Sequence, residues 1–151
     1  MKSITTFAAV ALAATALAGS ASANHFEPKG VAYKAAGSFV IANFRICKAT
    51  LRGNTDAGQG ASVTSVTFHK GTGCGFFVAD GLPWRMATHA TDSLTIYGMA
   101  IETSGGSCAG DVKAQLTNLG HIVFSTNLGN CALYGTFITR PQLSSVHRRL
   151  P

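Results

Sequence analysis

The sequence predicts an all-β chain: a single antiparallel β-sandwich, or a small barrel, of about eight to nine short strands with two disulfides. Three observations carry this. Apolar residues recur at period two, and helical periodicity is absent after the first 23 residues. Glycine (17 of 151 residues), proline, asparagine and aspartate break the chain at short intervals, as in chains built from strands and turns. Charged residues make up only 12%, too few for a coiled coil, a charge-rich disordered tail or a soluble helical bundle.

The elements follow in order. Residues 1–23 read as an export signal: Lys2, an alanine-rich apolar run over 4–17, then Ala21-Ser22-Ala23 as a small-x-small cleavage site. The run is too short for a membrane span, and no later stretch approaches about 18 uninterrupted apolar residues. Residues 24–36 form an N-terminal segment, extended or added as an edge strand. The β domain occupies 37–140, and 141–151 is a basic tail without a pattern. Within the domain, 37–43 reads as a strand. Cys47, Ala49 and Leu51 then alternate with Lys48, Thr50 and Arg52, before a turn-rich loop over 53–60. Val66 and Phe68 alternate with polar neighbours. Further strands are expected at 76–79, 85–91 and 94–101. The clearest period-two stretch puts Val112, Ala114 and Leu116 on one face; a turn at Asn118-Leu119-Gly120 returns it to Ile122 and Phe124. Cys131, Leu133 and Phe137 share a face in the last strand.

All four cysteines lie after the cleavage site, and an even count in an exported chain reads as disulfides. Three pairings are open to four cysteines. Cys47–Cys74 with Cys108–Cys131 is favoured, because each pair brackets one strand–turn–strand unit. That order of features occurs twice, as a weak repeat or as two hairpins closed in the same way. A zinc site lacks both a C-x-x-C and a close Cys/His pairing.

No catalytic constellation, metal site or cofactor fingerprint emerges. The six carboxylates are Glu27, Asp56, Asp80, Asp92, Glu102 and Asp111; Asp56, Asp80 and Asp92 occupy turn positions where aspartate caps backbone. His89, Asp92 and Ser93 are close in sequence, yet no G-x-S-x-G elbow accompanies them. Without Lys2 the formal charge is +5, modest, and its aromatics are not interleaved with basic residues, so nucleic acid is not an expected partner. Arg140, Arg148 and Arg149 make the chain end basic, either as a solvated tail or as a contact for an acidic surface. Asp80-Gly81-Leu82-Pro83-Trp84 stands apart, holding the one tryptophan. Either Trp84 plugs one end of the fold, or Leu82, Pro83 and Trp84 join Phe76 and Phe77 in an apolar surface for lipid, hydrocarbon or another subunit.

At these residues the chain resembles the bacterial secreted protein activators of alkane oxidation. The resemblance rests on the signal-like start, Cys47, Cys74, Gly81-Leu82-Pro83-Trp84, Thr95-Ile96-Tyr97-Gly98, Cys108-x-Gly110, and Gly129-Asn130-Cys131 leading to Gly135-Thr136. It covers residues 37–139. It implies an exported, non-catalytic protein, periplasmic or released, that promotes hydrocarbon use, with no catalytic residues to carry over. The expectation is action at a hydrocarbon or cell-surface interface. The alternative is an extracellular subunit that self-assembles by strand addition, with 24–36 entering a neighbour's sheet; the scarcity of lysine gatekeepers motivates it.

Overall fold

The computed structural model describes residues 24–41, 46–69 and 74–147. The export signal read in 1–23, the end of the strand expected at 37–43, and Arg148 and Arg149 lie outside them. Among the described residues eleven strands are formed: β1 (Asn24–Glu27), β2 (Ala32–Ile41), β3 (Cys47–Thr55), β4 (Gly60–Phe68), β5 (Val78–Asp80), β6 (Trp84–Thr88), β7 (Ser93–Thr103), β8 (Gly106–Leu116), β9 (His121–Leu128), β10 (Cys131–Arg140) and β11 (Ser144–His147). There is no helix among the described residues, hence none long and apolar enough to cross a membrane.

Eight strands close an antiparallel barrel in the order β7-β6-β4-β3-β2-β10-β9-β8, with β8 pairing back onto β7. The extra strand β5 adds to β7, and β1 with β11 makes a separate two-stranded ribbon. Period two decides what faces inward. Tyr33, Ala35, Phe39 and Ile41 of β2 are buried, as are Val112, Ala114 and Leu116 of β8 and Ile122 and Phe124 of β9. In an eight-stranded barrel such side chains fill the interior.

Both expected disulfides are present, Cys47–Cys74 and Cys108–Cys131. Each ties the first strand of a hairpin to the chain just beyond its second strand.

Several boundaries differ from expectation. β2 starts at Ala32, so residues 32–36 belong to the barrel wall. The loop expected over 53–60 shrinks to 56–59, where Asp56 caps it by accepting from Gly60 N at 2.9 Å. The patternless tail is ordered as far as His147. Its Ser144–His147 pairs with Asn24–Glu27, Leu143 is fully buried, and Ser145 Oγ donates to the Ala90 carbonyl at 2.7 Å. A four-residue strand whose partner lies more than 100 residues away leaves no local period to read. Phe26 of this ribbon and Leu143, just before it, join the core.

Two bulges set where the wall changes. In β4, Thr64 has no partner between Val63, which faces Gly53, and Ser65, which faces Arg52. Alternation therefore slips, from Ala61 and Val63 inside to Val66 and Phe68 inside. In β7, Tyr97 and Gly98 interrupt the register between Ile96 and Met99. Gly98 takes φ +64°, a left-handed conformation costly for other residues, and its N–H donates to Asp111 Oδ1 at 2.8 Å.

Candidate functional site: an open seam in the barrel wall

The same edge of β7 serves two strands in turn. Leu94–Tyr97 pairs with β6, and beyond the bulge Ala100–Glu102 pairs with β5. β4 follows β6 only through Gly60–Val63. Past its own bulge, β4 keeps β3 on one side, while no ladder joins it to β5 among the described residues. One half of the wall is thus continuous and the other is split between β4 and β5.

The corner between β5 and β6 is pinned. Asp80 Oδ1 accepts from Gly81 N at 2.8 Å, and Trp84 Nε1 donates to the Asp80 carbonyl at 2.7 Å. The split leaves a groove of about 380 Å³ lined by Val66, Phe68, Phe77, Val78, Ala79 and Leu82, with the hydroxyl residues Ser65 and Thr67. None of its lining residues carries a charge. That volume lies within the range of small-molecule sites, which are mostly apolar and concave.

Behind the groove lies the aromatic core. Phe39 is its hub, edge-on to Phe68 at 5.6 Å and stacked with Phe77 at 6.2 Å and Phe137 at 6.3 Å. Phe124 stacks on Phe137 at 6.0 Å. Gly135 makes room for this, since a Cβ there would fall 2.5 Å from the Phe124 ring. The cavity left inside has a free volume of only about 20 Å³, with an all-apolar lining that includes Val66 and Phe68. That is room for about one water without a polar partner, so it stays dry. The barrel interior is a packed core rather than a ligand cup, and the larger apolar concavity lies outside it, in the groove.

The rim is apolar. Phe76 is 77% exposed, Ile46 63% and Val78 59%. Ile46 precedes Cys47 and Phe76 follows Cys74 by two residues, so the Cys47–Cys74 bridge, whose Cα atoms are 5.6 Å apart, holds the two stretches of backbone near each other.

The apolar surface expected at 76–84 is corrected in part. Trp84 is 1% exposed; alternation in β6 turns it inward with Met86 and Thr88, where its indole finds a carbonyl. Phe77 is buried in the aromatic cluster. Neither belongs to an exposed patch. Phe76 and Pro83 are exposed, and Leu82 is half-buried in the groove. Ile46 and Val78 were missed. Their signal is phase: each sits one position off an inward-facing neighbour, Cys47 and Phe77. Arg140 is exposed but faces Lys34 across the β2–β10 ladder. His89 bonds to Thr95 Oγ1 at 2.9 Å, so its ring is engaged away from the Asp92–Ser93 pair. Among the described residues no group of three or more potential metal ligands gathers.

The decisive comparison is with protein families: the alkane oxidation protein activator PraA/PraB-like family matches residues 1–147. The chain belongs to this family. No curated protein and no solved structure matches it. Across the PraA/PraB-like match run both disulfides, the two bulges and the split wall.

Proposed function

We propose that this PraA/PraB-like chain is exported and acts without catalysis, promoting hydrocarbon uptake or use by contacting hydrocarbon at an oil–water or cell-surface interface. The observation that carries this is the uncharged groove with its apolar rim, on a member of an alkane oxidation activator family. The two disulfides and the signal-like first 23 residues support export to an oxidising compartment.

The rim suffices energetically. Full burial of a Val, Ile or Phe side chain is worth about 1.5–3 kcal/mol. Scaled by the exposure of Ile46, Phe76 and Val78, contact with oil gains on the order of 3–6 kcal/mol. That is enough to concentrate the protein at an interface but leaves adsorption reversible. The test is depletion of oxidised protein from water by hexadecane droplets, against an exported control of matched size. Stronger depletion than the control is expected; depletion equal to the control's sinks the proposal.

A second reading, assembly by strand addition, is favoured by the seam itself. Among the described residues, the β4 edge away from β3 beyond Val63 and the far edge of β5 carry no ladder. The segment first expected to enter a neighbour is engaged at home, since Asn24–Glu27 pairs with β11 and Ala32–Ala36 lies in β2. Sedimentation tests this reading: one monomeric species from low to high concentration rules it out.

A further inference from the structure

We propose that the outer face of β10, β2 and β3 binds a linear polyanion, specifically an acidic polysaccharide chain. Charge is divided unevenly around the barrel. Strands β9, β10, β2, β3 and β4 contain no Asp or Glu, yet carry Lys34, Lys48, Arg52 and Arg140. All six carboxylates lie elsewhere: in β1, β5, β7 and β8 and in two turns.

Within that face three cations stand in a row. Arg140 faces Lys34 across one ladder, and Lys34 faces Arg52 across the next. All three are exposed, and none has a carboxylate within ion-pair distance among the described residues. Like charges placed directly opposite on neighbouring strands oppose folding. The row therefore works against stability until an anion lies across it.

Shape selects the kind of anion. Next to the row, Ala36, Ser38, Thr50 and Thr136 leave a trough of about 560 Å³, with Lys48 and His69 on one side and Ile138 on the other. This shallow, open trough, with Ser38 half-buried and Thr136 exposed along it, offers a hydroxyl-rich chain polar partners beside the cations. Tyr134 is the one exposed aromatic on these three strands, which provides no platform for successive nucleobases. A polymer with one carboxylate per sugar and many hydroxyls fits both the row and the trough.

The test is fluorescence anisotropy of a labelled polygalacturonate oligomer with the oxidised protein. Binding is expected to weaken about tenfold or more between 50 and 200 mM salt, as counterion release requires. The triple neutral variant Lys34→Gln/Arg52→Gln/Arg140→Gln should lose at least about tenfold in affinity at 50 mM salt while unfolding at the same or a higher temperature. Neutralising Arg85 and Lys113, on the other wall, should change nothing. An equal loss from that second pair would reduce the effect to net charge and overturn the proposal. Equal binding of neutral dextran would also overturn it. So would binding to phosphatidylglycerol vesicles, dependent on the same three residues, without binding to the oligomer.

Discussion

Replacing Trp84 by alanine should be among the most damaging single changes in this protein. Its side chain is 1% exposed, borders the apolar cavity and donates its indole N–H to the Asp80 carbonyl at 2.7 Å. Truncating a buried tryptophan costs about 3–5 kcal/mol in transfer and cavity terms. For a folded span of this length, 1 kcal/mol moves the melting temperature by about 4 °C, so a fall of about 12–20 °C is expected. Trp84→Phe keeps a ring in the core but removes the donor, leaving the carbonyl at the β5–β6 corner unpaired. That variant should lose about 1–2 kcal/mol. Urea unfolding followed by circular dichroism measures both, because removing the only tryptophan removes its fluorescence. In the wild type that fluorescence is an independent check: it should be blue-shifted and poorly quenched by acrylamide until the protein unfolds. A loss under 1 kcal/mol for Trp84→Ala, or free quenching in the native state, would refute the inward placement of this ring.

Other expectations are as direct. Replacing either cysteine pair by serine should cost about 3.5 kcal/mol in urea, since sequence separations of 27 and 23 imply nearly equal loop entropy; a much smaller loss for one bridge would mean its hairpin is already fixed without it. Gly135→Ala should destabilise by about 1–3 kcal/mol through the clash with Phe124, and Gly135→Ala/Phe124→Leu should recover part of it. Burial holds the Tyr33 phenol well above its ordinary value. Its contribution is therefore complete below pH 10 and falls as pH rises, when the unfolded phenol releases its proton and the folded one keeps it. Tyr33→Phe loses the bond to the Ser62 carbonyl, about 1 kcal/mol at pH 7. The wild type then loses about 1.4 kcal/mol per unit above pH 10, so the two stability curves should meet near pH 11; parallel curves would contradict this.

Much of the fold was legible because the period-two signal is local. Val112, Ala114 and Leu116 with Ile122 and Phe124 read as one hairpin and fold as one. The disulfide pairing followed from the same hairpins. A small barrel was one of the two architectures expected, but the contact that closes it was not legible, because β2 meets β10 across most of the chain without a sequence mark. The β1–β11 ribbon was invisible for the same reason. The seam was hidden more subtly: it begins where Thr64 slips the register, and a bulge reverses which residues face inward without altering composition. Around 76–84 the composition left two placements open, Trp84 as an inward plug or as part of an apolar surface, and only the phase of the strands decides between them. Phe76 and Val78 are outside while Phe77 and Trp84 are inside, a distinction set by the tether at Cys74 and the turn after Asp80. The basic row was unreadable too, since Lys34, Arg52 and Arg140 become neighbours only through strand pairing.

The measurement that bears most directly on the central claim is pendant-drop tension at a hexadecane–water interface, comparing the oxidised wild type with Ile46→Thr/Phe76→Ser/Val78→Thr. All three side chains are largely exposed, so the variant should unfold at nearly the wild-type temperature, and at equal micromolar concentration it should lower the tension more slowly and by less. Indistinguishable tension curves from two equally stable proteins would contradict the assignment of the rim as the surface that meets hydrocarbon.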